Sequence, residues 1–287
     1  RIGRTIGGVG RRDGGRLAQL VDLHDPGDDR SAGILPQQPA GKHARDRERA
    51  EAREPPVPGL DARGAHPIVP DLRSALILHE QGKRADAHRL LEQLQLDYLD
   101  QPAQLRQAWQ ADAELYRCEQ QYAKAEKAGS RALQVVPDDP GLLYSRGLTY
   151  AEAGQVDLAV KDFEHLLKIK PGDVDASNAL GFTLADANRD LPEAERLIHA
   201  ARVAKPDDPA IADSWGWLQY RMGHLDQAAK ILRGAWVARK DADVGVHLGE
   251  VLWKQGRRKD AQQVFDEVRK LDPHSSSLQD TLRRLRP

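Results

Sequence analysis

The chain has 287 residues, enough for one or two domains with a sizeable core, and its net charge of −1 offers no overall field to attract nucleic acid or an anionic membrane. Its single cysteine, Cys118, excludes a disulfide framework within the chain and a cysteine-rich zinc site. No run of apolar residues approaches the length of about 18 that marks a membrane-spanning helix.

The start of the chain, from Arg1 to Pro67, differs in composition from the rest. It contains no aromatic residue, it is rich in glycine, and its prolines cluster between Glu54 and Leu60. Such a segment cannot bury enough apolar surface to offset the entropy lost on ordering. Because the chain also begins at Arg1 rather than at a methionine, we predict that residues 1–67 are a disordered or non-native low-complexity head.

Beyond the head, small residues recur about every 34 residues, a period typical of helical repeats, at Ala75, Ala113, Gly147, Gly181, Gly216 and Gly249. An alanine follows each of them at a nearly constant offset, and in five of the six units a glycine or asparagine lies between the two. This pattern predicts two helices per unit, because glycine and asparagine tolerate the positive φ of a turn. Prolines that follow the second helix indicate where it ends.

Taken in chain order, the six units span residues 68–275. The first unit is degenerate, with Ala75 in place of glycine, and the Gly181 unit carries one extra residue around Asn188–Pro192. In the Gly147 unit, apolar residues recur at helical spacing in both helices. After Pro273, a serine that can cap a helix and leucines at 278, 282 and 285 predict a capping helix over 275–286.

The spacing resembles that of the tetratricopeptide repeat. The family pattern W-x2-L-G-x2-Y, A-x3-F and P is similar to Leu143-x2-Arg146-Gly147-x2-Tyr150, Ala159-x3-Phe163 and Pro171. The resemblance implies an all-α fold: a right-handed solenoid of about six helix-turn-helix repeats with a C-terminal capping helix, spanning residues 68–287. It also implies that the first helices line a concave groove that binds a protein or an extended peptide.

Repeat register then assigns side chains to that groove. Trp215 and Trp217 lie about 200° apart around a helix, so they cannot share a face. Trp215 is predicted to pack inside its unit, and Trp217 to face the groove, although neighbouring units could also bury it. Aromatic anchors among polar groups are typical of protein interfaces. The predicted partner-binding groove residues are Tyr144, Asn178, Phe182, Asp213, Trp217, Tyr220, Arg221, His247, Glu250 and Trp253.

A narrower resemblance concerns about residues 140–275. The stretches ALGFTLAD, PAIADSWGWLQYRMG and HLGEVLWKQGR are similar to the C-terminal repeats of Gram-negative tetratricopeptide proteins. That group includes envelope lipoproteins that act as adaptors for a periplasmic carboxyl-terminal processing protease. The resemblance implies a bacterial protein of the periplasm or outer-membrane surface; without it, we expect a cytoplasmic location.

No residue pattern predicts an enzyme. HExxH, Walker and GxSxG motifs are absent, and His247 with Glu250 forms one i, i+3 pair without the second pair that a metal site needs. Acidic side chains slightly outnumber basic ones after the head, which disfavours RNA binding. We therefore expect no catalytic residue, cofactor, metal, nucleic acid or small-molecule substrate. The prediction is a non-enzymatic protein-binding scaffold or adaptor. The alternative is a structural repeat protein that associates with itself as a homo-oligomer.

Overall fold

The computed structural model describes residues 68–285, so the prediction for the head at 1–67 lies outside the described residues. The described range contains thirteen helices and no strand. In chain order they are α1 (Val69–Glu80), α2 (Arg84–Asp97), α3 (Pro102–Cys118), α4 (Tyr122–Val135), α5 (Pro140–Glu152), α6 (Val156–Ile169), α7 (Val174–Asp186), α8 (Leu191–Ala204), α9 (Pro209–Arg221), α10 (Leu225–Ala238), α11 (Ala242–Lys254), α12 (Arg258–Leu271) and α13 (Ser276–Leu285).

The helices form six pairs, α1–α2 to α11–α12, and α13 packs on the last pair. We call the odd-numbered member of each pair the first helix and the even-numbered member the second helix. Each first helix contacts the first helix of the next pair, whereas the second helices of the described range do not contact one another. The array therefore curves with the first helices inside, and we call their shared surface the concave face. The predicted all-α solenoid of six helix pairs with a capping helix is confirmed.

The small residues predicted inside the first helices allow the two helices of a pair to approach closely. A Cβ atom placed on Gly147 would lie 2.7 Å from Phe163 Cε1, and one placed on Gly216 would lie 2.7 Å from Leu232 Cγ. Such distances are too short for carbon atoms in contact. The close approach brings Phe163 and its equivalents into the cores between helices, where they are fully buried.

Turn and cap residues define the ends of the helices. Gly154 and Asn188 adopt the positive φ expected of the turns, at +74° and +53°. Asp190, in the unit that carries one extra residue, also has a positive φ. Four first helices are capped at their N-termini by aspartates that were not predicted from the sequence. Asp139 and Asp173, for example, accept hydrogen bonds from the backbone N–H groups of Leu142 and Ala176.

The curvature brings distant parts of the chain together. Gln120, in the turn between α3 and α4, donates a hydrogen bond of 3.3 Å to the hydroxyl of Ser276 at the start of α13. The capping helix is also stabilised by a hydrogen bond at its N-terminus and by apolar contacts with the last helix pair. Ser275 accepts from the backbone N–H of Leu278, and Leu278 and Leu285 are buried against the last helix pair.

Candidate functional site

Trp217 lies on the concave side of α9, at the place where α7, α9 and α11 meet. Its side chain is 0% exposed. The indole N–H donates to Asp186 Oδ1 of α7 at 3.1 Å, and the ring stacks on His247 of α11 with centroids 4.3 Å apart. The tight curvature of the first helices thus encloses a ring that was expected to face the groove. Trp217 therefore joins three first helices and is enclosed between them.

Asp213 and His247 form a buried pair between α9 and α11. His247 Nδ1 lies 2.9 and 3.0 Å from the two carboxylate oxygens of Asp213, and both side chains are buried. Burial alone would lower the pKa of His247, but the charge and hydrogen bond of Asp213 outweigh it and the pKa is raised. The two residues, predicted to select a partner, form a charge-assisted link between consecutive units.

Glu250 forms a second link, which fixes the capping helix. Arg284 of α13 donates two hydrogen bonds to its two carboxylate oxygens, at 2.9 and 2.8 Å. The Tyr220 hydroxyl of α9 donates a third bond at 3.0 Å. Because the carboxylate of Glu250 is buried, it serves three helices at once rather than projecting into an open groove.

Two more of the predicted residues are buried within α7. Phe182 packs beside the ring of His247, with centroids 5.8 Å apart. Asn178 is buried as well, and its Oδ1 atom has no hydrogen-bond partner among the described residues. Six of the ten predicted groove residues are therefore buried beneath the concave face: Asn178, Phe182, Asp213, Trp217, His247 and Glu250. Their part in binding a partner remains a prediction.

The other four predicted residues reach the surface. Tyr144, Tyr220, Arg221 and Trp253 are each half-buried. Tyr144 packs obliquely on Phe163 with centroids 5.9 Å apart, and the Arg258 guanidinium lies 3.9 Å from the centre of the Trp253 ring. The accessible part of the predicted site is thus three aromatic rings and one cation, and the rings are held by contacts from behind or beside.

Trp215, which is predicted to pack inside its unit, is buried and also contacts the preceding pair. It lies against α8 of the preceding pair, where its ring meets His199 edge-on at 6.2 Å and the Arg202 guanidinium at 4.6 Å. The reason is geometric, since a residue preceding the small glycine of a first helix points towards the second helix before it. Trp215 therefore joins units on the side away from Trp217.

Several buried links were not found from the sequence. Arg117 of α3 is enclosed between Glu114 and Glu152, and Arg284 of α13 reaches Glu250. The sequence did contain a signal for two of these links, because Asp213 and His247 are 34 residues apart, as are Glu250 and Arg284. Oppositely charged residues one repeat apart on first helices, or on a first helix and the cap, are candidates for links between successive units.

Within residues 68–285, no three His, Cys, Asp or Glu side chains are grouped so that they could hold a metal ion. The helices of this range are too short or too polar to cross a bilayer. Paired helices repeated along a curved array, with aromatic and charged side chains on the inner face, define a helical-repeat solenoid of the kind that serves protein–protein interaction.

The family follows from comparison with known proteins. Models of the tetratricopeptide repeat match residues 113–180 and 214–276, so the chain contains tetratricopeptide repeats in these two stretches. The TPR repeat-containing protein PA4667 of Pseudomonas aeruginosa is 36% identical over 179 residues, which cover 62% of this chain and 30% of that protein. The chain thus spans less than a third of that relative's length.

Solved structures share the fold at low sequence identity. The Thermus thermophilus TPR protein TTC0263 has a TM-score of 0.56 at 19% identity, covering 63% of this chain and 98% of that one. The type IV pilus biogenesis factor PilW has a TM-score of 0.57 at 18% identity, covering 74% and 96%. The Cut9–Hcn1 complex has a TM-score of 0.60 at 16% identity, covering 77% and 43%.

Proposed function

We propose that this chain is a non-enzymatic scaffold that binds a protein or an extended peptide along its concave face. The observation that carries the proposal is the set of half-buried side chains on first helices: Tyr144 on α5, Tyr220 and Arg221 on α9, and Trp253 on α11. Aromatic rings and arginine supply most of the binding energy at many protein interfaces.

The contacts behind these side chains support the proposal. Tyr220 is held by Glu250 at its hydroxyl and by Trp217 at its ring, with centroids 4.8 Å apart. Trp253 is covered on one side by Arg258. Side chains fixed in this way lose little conformational freedom when a partner binds, so more of the contact energy becomes affinity. Arg221 is half-buried on the same helix, so it adds a positive charge that can meet an acidic group of a partner.

The test compares three forms of the full chain as baits. The first is wild type, and the second carries Tyr144→Ala and Trp253→Ala. The third carries Tyr122→Ala, which changes a half-buried aromatic residue on the second helix α4. Each bait is checked by circular dichroism, and captured proteins are quantified by mass spectrometry. We expect the concave-face variant to lose a defined set of partners that the Tyr122 variant retains. Equal capture by all three baits would contradict the proposal.

For location, we propose the periplasm or the outer-membrane surface of a Gram-negative bacterium. The proposal is supported by the resemblance of residues 140–275 to the repeats of envelope proteins, and the Pseudomonas aeruginosa relative agrees with a bacterial source. Fractionation of cells that express the protein from its native locus tests it directly. Recovery in the cytosolic fraction, with cytosolic and periplasmic markers correctly separated, would reject it.

A further inference from the structure

The first helices of the last two pairs end differently from those of the two pairs before them. α5 and α7 end in alanine followed by an acidic residue, Glu152 and Asp186. α9 and α11 end in an aromatic residue followed by a basic one, Tyr220–Arg221 and Trp253–Lys254. A basic side chain at the C-terminus of a helix stabilises the helix dipole. Since α5 and α7 end in acidic residues instead, the fold does not require basic residues at these positions.

The acidic side chains at the ends of α5 and α7 are bonded within the chain. Glu152 is buried and accepts a hydrogen bond from Arg117. Asp186 accepts a hydrogen bond from the indole N–H of Trp217. The basic side chains at the ends of α9 and α11 are more accessible, since Lys254 is exposed and Arg221 is half-buried. The concave face therefore presents positive charge in its C-terminal part.

Hydrogen bonds place the ends of α9 and α11 side by side. The Tyr220 hydroxyl donates to Glu250, about one turn before the end of α11, at 3.0 Å. Gln255, which directly follows α11, donates from Nε2 to Asp226 near the start of α10 at 2.7 Å. Because the two basic residues are the last of their helices, these bonds place them at the same corner of the concave face.

A third basic residue lies beside this corner. The Arg258 guanidinium is 3.9 Å from the centre of the Trp253 ring, and Arg258 is exposed. We call the three basic residues the basic rim: Arg221, Lys254 and Arg258. Residues 220–226 and 253–260, which contain the rim, hold five lysines and arginines against two aspartates. The rim is therefore a local excess of positive charge on a chain whose net charge is −1.

We propose that the basic rim, with Tyr220 and Trp253 beside it, binds an acidic segment of an extended peptide. This inference rests on the proposed function and adds the chemistry of the partner. Carboxylates of the peptide pair with the rim, and an apolar side chain of the peptide packs on the partly exposed rings. Opposite charges around such a contact steer the partner towards the site and fix its register.

The shape and charge of the concave face favour a short acidic segment over a nucleic acid or a membrane. The rim spans two of the six pairs, and α5 and α7 end in acidic residues, so a long polyanion would find no continuing line of positive charge. A flat anionic bilayer cannot enter a concave surface. A peptide with a few carboxylates needs only the length of the rim.

The test selects peptides from a phage-displayed library of random dodecapeptides on the immobilised full chain. We expect the selected peptides to contain more aspartate and glutamate than the unselected library. The variant Arg221→Glu with Lys254→Glu should select peptides without this excess. The matched control reverses two exposed lysines of the second helix α6, Lys161→Glu with Lys168→Glu, and should select the same acidic peptides as wild type. Circular dichroism checks that each variant is folded.

The most enriched peptide, synthesised with a fluorescent label, then serves as the probe for affinity. Fluorescence anisotropy should show that charge reversal at the rim weakens its binding about tenfold or more, because like charges then meet. The neutral variant Arg221→Gln with Lys254→Gln should weaken binding less, and it replaces the glutamate variant if that protein does not fold.

Three outcomes would overturn the acidic partner while the proposed function stands: selected peptides without an acidic excess, an acidic excess that the rim variants keep, or one that the α6 control loses equally. Selection of no peptide at all would overturn the proposed function as well. Single-stranded RNA of twelve nucleotides and phosphatidylglycerol vesicles are measured beside the peptide. Tighter binding of either one, lost when the rim is reversed, would overturn the assignment of the rim to a peptide.

Discussion

At the scale of single residues, glycines at two kinds of position have opposite roles. Gly216 lies where α9 meets α10, and an added Cβ would be 2.7 Å from Leu232 Cγ. Gly234 lies within α10 with no atom within 4 Å of such a Cβ, so nothing in the packing requires glycine there. The first glycine is needed for close approach, while the second only weakens its helix.

The two glycines give a matched pair of variants. We expect Gly216→Ala to lower the free energy of unfolding by about 1–3 kcal/mol, because the added methyl group forces the two helices apart. Gly234→Ala should raise the free energy of unfolding by up to about 1 kcal/mol, because alanine favours the helix. Urea denaturation followed by circular dichroism measures both. A destabilised Gly234→Ala variant would contradict this assignment.

The buried carboxylate of Glu250 gives a second prediction at this scale. In Glu250→Gln, the neutral amide keeps only part of the bonding to Arg284 and Tyr220, and we expect a loss of about 1–3 kcal/mol of unfolding free energy. Arg284 is one-third exposed and can be hydrated, which limits the loss. Glu267→Gln, which breaks a half-exposed pair with Lys240, should cost below about 1 kcal/mol. Similar losses in the two variants, measured by urea denaturation, would argue against the three-helix role of Glu250.

Repeat register assigned the predicted groove residues to first helices, where the structure has them, but it did not predict how deeply they are buried. The spacing of Gly147, Gly216 and their equivalents defines which side chains point inwards, because a helix has a fixed period. The burial of Trp217 depends on how sharply consecutive first helices curve together, and that curvature arises from the packing of many side chains. The cap, in contrast, was predictable because Leu278, Leu282 and Leu285 lie on one face of a short helix.

At the scale of elements, α1 and α2 are joined to α3 by a cluster of ionisable groups. His88 Nδ1 lies 2.6 Å from Asp112 Oδ1, and the His88 ring stacks on Tyr116 with centroids 3.8 Å apart. The Nε2 atoms of His88 and His79 lie 3.4 and 3.2 Å from Glu119 Oε1. Burial alone would lower the pKa of His88, but Asp112 and then Glu119 outweigh it, and the pKa is raised. The positive charge of the protonated His88 imidazole therefore offsets the negative charge of the buried carboxylates of Asp112 and Glu119.

This cluster makes the stability of the first two pairs depend on pH. Because the folded protein holds the His88 proton more tightly than the unfolded chain, the contribution is complete below the ordinary histidine pKa of about 6.5 and is lost as pH rises through the raised value. We expect the urea midpoint to fall between pH 6 and pH 8. His88→Gln should reduce this fall, whereas His165→Gln, at a half-exposed pair with Asp138, should not. Identical pH profiles for all three proteins would refute the role of His88.

At the scale of the whole molecule, the capping helix covers the last pair. Leu278 and Leu285 complete the core formed by α11 and α12. We expect a chain that ends at His274 to remain folded but to lose amide-exchange protection in α11 and α12, while α5 to α8 keep theirs, because each pair depends mainly on its neighbours. Hydrogen exchange measured by mass spectrometry resolves these segments. Equal loss of protection throughout the array would show that the pairs unfold as one unit.

The hydrogen bond from Gln120 to Ser276 links two parts of the array that are not neighbouring pairs. In a linear solenoid, stability is a sum over adjacent pairs, and the two ends are independent of each other. Here 156 residues separate the bonded groups, so the hydrogen bond closes a loop that runs from the second pair to the cap. One exposed bond adds only about 0.5–1.5 kcal/mol, but it couples fraying at the C-terminus to the turn after α3. Because closing a loop of 156 residues costs entropy, this bond should form late in folding, after the helix pairs that lie between its two ends.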